Sequence, residues 1–191
     1  RGNSSRYRWS EIPHLLRSPL GRIQFRHGIY YRLWPLLSLL AGWYRKAIVS
    51  RTRVVAVVGS CGKTTTTRAV TIALQGQVHR KPYANCWSYV SAGIFRIRPA
   101  ERHAVIEVGI NGTGQMKQYA RMIQPDITVV TSIGSEHHRS LGTLDVTRSE
   151  KAEMVWALPA AGLAVLNGDD PNVRWMAQRC KAKVITFGFD E

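Results

Sequence analysis

The chain predicts an α/β fold: a mostly parallel sheet with helices on both faces, preceded by a basic, partly hydrophobic helical arm. Three observations lead there. From residue 54 onward, short apolar runs rich in β-branched residues alternate with stretches of helical spacing, the pattern of parallel strands joined by crossover helices. Residues 54–58 (Val-Val-Ala-Val-Val) run into a glycine turn, and a threonine run at 64–67 then opens a helix. The first 53 residues differ in kind from the rest: they hold 11 Lys and Arg against one acid, Glu11, whereas the other 138 hold 16 basic and 11 acidic side chains. The arm is accordingly set at 1–52 and the α/β domain at 53–191.

Within the arm, residues 1–20 are polar, basic and interrupted by Pro13 and Pro19, and are expected to be largely irregular. Residues 29–44 are the most hydrophobic stretch, but the uncharged run Leu33–Tyr44 is only 12 residues long, short of the roughly 20 that span a bilayer. Arg26, Arg32, Arg45 and Lys46 flank it, and Tyr30, Tyr31, Trp34, Trp43 and Tyr44 add amphipathic rings. Two readings follow. Residues 29–46 make a peripheral contact with a membrane surface, or the helix packs on the domain that follows; the second is preferred. No small-residue cleavage site follows the apolar run, which argues against a cleaved signal peptide.

The domain elements are expected in this order: strand 54–58, helix 63–75, a short strand Gln77–Arg80, and a loop with a helical turn near Ser88–Phe95. Then come strand His103–Gly109, helix Gly114–Ile123, strand Ile127–Thr131 and helix Val146–Leu158. Strand Leu163–Asn167, helix Pro171–Arg179 and strand Lys183–Phe187 complete the series. The three cysteines, Cys61, Cys86 and Cys180, are too few and scattered for a disulfide framework or a zinc site, and fit a reducing cytoplasm. The chain begins without methionine and stops soon after its last strand, so it is read as a fragment, incomplete at the C-terminal end of the domain.

Chemistry concentrates outside the carboxyl ends of the strands, where open α/β sheets bind ligands. Gly59, Ser60, Cys61, Gly62, Lys63, Thr64 and Thr65 form a shortened phosphate loop, Gly-x-x-Gly-Lys-Thr, with Val57 where the longer pattern has its first glycine. Backbone N–H groups and the positive helix end cradle phosphate, Lys63 reaches the outer phosphates, and Thr64 holds magnesium. The fold is thus expected to be P-loop NTPase-like, with ATP and Mg2+ as cofactors. Glu107 is the one charge in the run 104–110. A lone buried carboxylate needs a partner, either magnesium or a core Arg. Taken singly, His137 and His138 read as solvated loop residues and Lys151 as surface charge.

Taken together they carry more weight. Gly-Ser-Cys-Gly-Lys-Thr-Thr-Thr, Val-Ile-Glu-Val-Gly-Ile-Asn-Gly-Thr-Gly-Gln-Met, Gln-Pro-Asp-Ile-Thr-Val-Val-Thr-Ser-Ile-Gly-Ser-Glu-His-His, Ser-Glu-Lys-Ala-Glu-Met and Val-Leu-Asn-Gly-Asp-Asp-Pro occur in that order. Over about residues 53–190 this series resembles the central ATP-binding domain of the Mur ligases, most closely the D-alanyl-D-alanine-adding branch. The resemblance implies that ATP phosphorylates the terminal carboxylate of a small or UDP-linked peptide acceptor, and that an amino acid or dipeptide amine attacks the acyl phosphate. It implies catalytic roles for Lys63, His137 and Lys151, and magnesium binding by Thr64, Glu107, His137 and Lys151, the last carried as a carbamate. It also places Asn85 and Asn111 on the substrate side. Asn167, Asp169 and Asp170 match a family motif without an assigned role.

The sequence departs from the family at Tyr-Ala-Asn-Cys-Trp-Ser around Asn85, where relatives usually carry a second asparagine, and in an arm unlike the usual UDP-binding domain. The expected setting is cytoplasmic, with the arm as the candidate for contact with the inner membrane face. Two alternatives stand beside the peptidoglycan ligase: a polyglutamate capsule-type ligase, and a non-catalytic ATP-binding module anchored by the arm. Nucleic-acid binding is set aside, because the basic arm lacks an aromatic stacking platform.

Overall fold

The computed structural model describes residues 8–75, 77–78, 88–134 and 142–189. Its centre is a six-stranded sheet of β1 (Arg53–Val58), β2 (Gln77–Val78), β3 (His103–Glu107), β4 (Ile127–Val130), β5 (Leu163–Asn167) and β6 (Lys183–Phe187), in the order β2-β3-β1-β4-β5-β6. Every pairing is parallel. Buried on both faces, β1 is apolar without alternation, as an inner parallel strand must be. The connection leaving β1 and those leaving its neighbours β3 and β4 run to opposite faces of the sheet, so a crevice opens beside the carboxyl end of β1.

The two faces are unequally covered. On one, Val54, Ala56, Val58, Ala104, Ile106, Val130, Ala164 and Leu166 join the main core, which contains residues of α5 (Ser88–Ile94), α6 (Gln115–Ile123), α7 (Leu144–Trp156) and α8 (Pro171–Trp175). On the other, Val55, Val57, Val105 and Val129 meet Val70 and Leu74, from α4 (Lys63–Ala73) and its C-cap. The period of two along a strand sends Glu107 to the side of Val105, the α4 side.

The arm is more ordered than its prolines suggest. A 3-10 turn at Trp9–Glu11 leads into α1 (Ile12–Arg17), α2 (Pro19–Arg32) and α3 (Trp34–Ala47). This corrects the expectation of an irregular 1–20 as far as residues 8–20 are described. Pro13 and Pro19 fall in the first turns of their helices, where the missing N–H costs nothing, and Ser18 Oγ caps α2 by accepting from Gly21 N at 2.9 Å. The apolar stretch 29–44 is split between two helices at Leu33, because Pro35 cannot continue the α2 hydrogen-bond ladder. The single helix expected over 171–179 likewise divides into α8 and a 3-10 turn at Met176–Arg179.

Helix α3 packs on the domain. Ala41 and Val49 are fully buried in the main core, with Trp34 and Tyr44 against it. Trp34 meets Tyr119 edge-on at 5.7 Å, and the Tyr44 hydroxyl donates to Ile97 O at 2.7 Å. Arg45 makes the firmest tie: its guanidinium donates to Ile123 O (3.1 Å), Val49 O (2.8 Å) and Gln124 O (3.3 Å), and pairs with Asp126 at 2.7 Å. The same Asp126 oxygen accepts from Val54 N at 2.7 Å, so one cluster joins the arm to the starts of β1 and β4. Burial lowers the Arg45 pKa from its ordinary value, with Asp126 opposing the shift; an arginine stays charged all the same. Among the described residues, no helix is long and apolar enough to cross a membrane.

Candidate nucleotide-binding site

The β1–α4 turn is built around two glycines in the left-handed region, Gly59 (φ +148°) and Gly62 (φ +79°). At Gly59 a Cβ would come within 1.9 Å of Thr131 Oγ1, so only glycine lets the loop lie against the end of β4. Gly62 is the N-cap of α4, and no side chain caps this helix. The positive end of the helix therefore meets the loop without a capping side chain in the way.

The loop is held from below by the segment that leaves β4. Ser60 N donates to Ser132 O at 2.6 Å, Cys61 N donates to Ser132 Oγ at 3.1 Å, and the Thr131 hydroxyl donates to Cys61 O at 2.6 Å. Ser60 Oγ accepts from Gly134 N at 2.7 Å and contacts Gly134 O at 3.1 Å. Asn167 Nδ2 donates to Thr131 O at 2.8 Å. Asp170 accepts from Ile133 N at 2.7 Å while its other oxygen caps α8. Sequence reading missed Thr131 and Ser132. A Thr-Ser pair closing an apolar strand was the available signal, but its partner is a loop 70 residues away that only the β1–β4 pairing identifies. Asn167 and Asp170 now have a position: they brace that segment. Asp169 accepts from Phe189 N at 3.1 Å, away from the loop.

Three predicted residues converge as expected from their spacing. Lys63 Nζ lies across the loop, donating to Gly59 O (2.8 Å) and Ser60 O (2.7 Å). Thr64 Oγ1 lies 3.1 and 3.0 Å from the two Glu107 carboxylate oxygens, with Glu107 buried at 5 % exposure. Thr64 is thus one observed partner of Glu107. A hydroxyl and a carboxylate side by side next to a phosphate loop are hard oxygen donors, and the pair suits Mg2+.

Lys151 corrects its isolated reading as surface charge. It is 3 % exposed, on the inward side of α7, and its Nζ donates to Ser60 Oγ at 2.8 Å. Asn111 is exposed in the β3–α6 connection, its N–H bound to Gln115 Oε1 at 2.8 Å. That connection is tied to α7 by Gly114 N donating to Glu150 Oε1 at 2.6 Å. Asn85, His137 and His138 lie outside the described residues. The arm also reaches this end of the domain: Tyr31, Arg32 and Trp34 line a pocket of ≈ 510 Å³ with Thr113, Gln115 and Gln118.

A parallel α/β sheet carrying a phosphate loop, with a lysine across it and a Thr–Glu oxygen pair beside it, defines a nucleotide-binding domain of the phosphate-loop class. The family model for the Mur ligase middle domain, the ATP-binding domain of these enzymes, matches residues 57–191, and the chain belongs to the Mur ligase family. It is 29 % identical over 156 residues to the UDP-N-acetylmuramoyl-tripeptide–D-alanyl-D-alanine ligase of Synechocystis, covering 80 % of this chain and 34 % of that protein. The Bacillus subtilis ligase of the same name is 32 % identical over 141 residues, covering 72 % and 30 %. Thermotoga maritima MurF ligase in complex with ADP superimposes with a TM-score of 0.71 at 25 % identity, over 81 % of this chain and 36 % of that one. The chain thus spans about a third of the length of the curated relatives it matches.

Proposed function

We infer that this chain is the nucleotide-binding part of an ATP-dependent carboxylate–amine ligase that works through an acyl phosphate in peptidoglycan precursor synthesis, joining an amino acid or D-alanyl-D-alanine to a UDP-muramoyl peptide. The observation that carries the reading is the joint placement of Lys63, Thr64–Glu107 and Lys151–Ser60 around one loop. A domain that only bound ATP would have no evident use for a buried lysine hydrogen-bonded into the loop.

Lys63 neutralises charge on the transferring phosphoryl group. Thr64 and Glu107 hold Mg2+, which draws off phosphate charge when bound. Such catalysis is positioning and electrostatics rather than covalent chemistry by the protein. Lys151, carried as a carbamate, contributes anionic oxygens in place of an ammonium that would repel the metal, and His137 is assigned as a further metal donor. Asn111 and Asn85 are assigned to acceptor binding, and the pocket beside Tyr31 and Arg32 gives an anionic acceptor a cationic wall. The cytoplasm supplies both ATP and UDP-linked precursors.

The test uses the full-length protein. ADP release is followed with Mg-ATP while UDP-muramoyl tripeptide and D-alanyl-D-alanine are added separately and then together. Release that needs both, and is lost in Lys151→Ala, is the expected result. Release with glutamate polymers instead would favour the capsule-type ligase. Tight Mg-ATP binding without release under any pairing would favour a nucleotide-switched module.

A further inference from the structure

The face of the arm turned away from the domain is organised in a way the ligase reading does not use. On α3, the inward residues Trp34, Ala41, Tyr44 and Arg45 bind the domain. The opposite side carries Leu36, Leu39, Leu40 and Trp43 at 53, 70, 44 and 60 % exposure. Their i, i+3, i+4, i+7 spacing makes one continuous stripe, and exposed Lys46 ends it. On α2, Leu20, Ile23 and Tyr30 are also exposed, with Leu20 at 80 %, and exposed Arg22 and Arg26 lie on the same helix. Leaving this many large apolar groups in water is costly, at about 25 cal/mol per Å², and they are concentrated on two successive helices rather than scattered singly over the surface.

The surrounding charge selects what covers the stripe. No Asp or Glu occurs between Glu11 and Glu101, while Arg17, Arg22, Arg26, Arg32, Arg45, Lys46, Arg51 and Arg53 lie in the arm and its junction. A second copy of the chain would bring the same positive surface and be repelled. Nucleic acid would match the charge but offers nothing to four exposed α3 leucine and tryptophan side chains. We propose that α2 and α3 dock the protein on the surface of an anionic lipid bilayer. The apolar stripe lies at the level of the upper acyl chains, and exposed Arg22, Arg26 and Lys46 meet lipid phosphates. Helix α3 runs alongside α6, from Trp34 near Gln118 to Arg45 near Ile123. Docked flat, it therefore leaves the strand carboxyl ends, and with them the phosphate loop, open sideways to solvent. The proposal stands independently of which bond the enzyme makes.

The test is co-sedimentation of the full-length protein with phosphatidylcholine vesicles, with and without phosphatidylglycerol. Expected is at least about tenfold tighter binding to the anionic vesicles. That gain should be lost in Leu39→Glu/Trp43→Glu, whose circular dichroism, melting temperature and ATP binding match the parent. Two results would overturn the proposal. One is failure of the parent to sediment with anionic vesicles. The other is sedimentation that the Leu39→Glu/Trp43→Glu pair leaves intact, since binding would then be attraction of charge without docking of the stripe. A parent dimer in solution that the same pair dissociates would also overturn it, by assigning the stripe to a second copy.

Discussion

At Gly59 the loop's chemistry depends on the absence of one carbon. Both its φ of +148° and the 1.9 Å approach to Thr131 Oγ1 exclude a Cβ. Gly59→Ala is predicted to destabilise by at least about 1 kcal/mol and to abolish detectable ATP binding, measured by thermal unfolding and calorimetry. Ser60 has a different task, since its hydroxyl joins Gly134 to Lys151. Ser60→Ala removes that oxygen from a buried ammonium or carbamate, at a cost of about 1–3 kcal/mol. The expected kinetic outcome is a large fall in kcat with ATP affinity little changed, because the loop N–H groups remain. If Thr64 and Glu107 share one metal, Thr64→Val and Glu107→Gln each raise the magnesium requirement, and the double variant raises it little further. Additive effects would separate the two residues. The loop was legible residue by residue, because a Gly-x-x-Gly-Lys-Thr turn after an apolar strand has few other uses. Lys151 was not: in Ser-Glu-Lys-Ala-Glu-Met its neighbours are charged, and its burial comes from α7 lying against the loop, a tertiary fact.

Among the elements, the strands were the most legible. The limits of β5 and β6 coincide with the apolar runs that predict them, and β1, β3 and β4 differ from theirs by one or two residues at an end. Parallel strands buried on both faces leave little ambiguity. The arm was least legible because Pro13 and Pro19 were read as breakers, whereas proline in a first turn starts a helix. Packing of α3 on the domain was the preferred reading from sequence, and the residue that secures it is Arg45, which composition had marked only as a flanking charge. Arg45→Ala removes one donor from each of three carbonyls and from Asp126. It is predicted to cost roughly 2–3 kcal/mol and to make the arm susceptible to protease before the sheet unfolds. A single cooperative transition with unchanged arm cleavage would mean that apolar contacts of Ala41, Val49 and Tyr44 suffice.

For the whole molecule, the topology explains why scattered polar residues meet. The order β3-β1-β4 puts the ends of three strands side by side, so Glu107, the β1–α4 loop and the Thr131–Gly134 segment become neighbours although 24 to 75 residues separate them in the chain. The asymmetry of charge places arginines in the arm while acids appear only from Glu101 on, after the arm's Glu11. It separates a strongly basic part from one of mixed charge within 191 residues. The central claim is that this site phosphorylates a carboxylate. The most direct measurement supplies the full-length protein with Mg-ATP, the amine and UDP-muramoyl tripeptide labelled with 18O in its terminal carboxylate, and reads the label in inorganic phosphate by mass spectrometry. Acyl phosphate formation predicts one 18O atom in each phosphate released, because the carboxylate oxygen that attacks the γ-phosphorus leaves with it when the amine displaces phosphate. Amide product accompanied by unlabelled phosphate would contradict it.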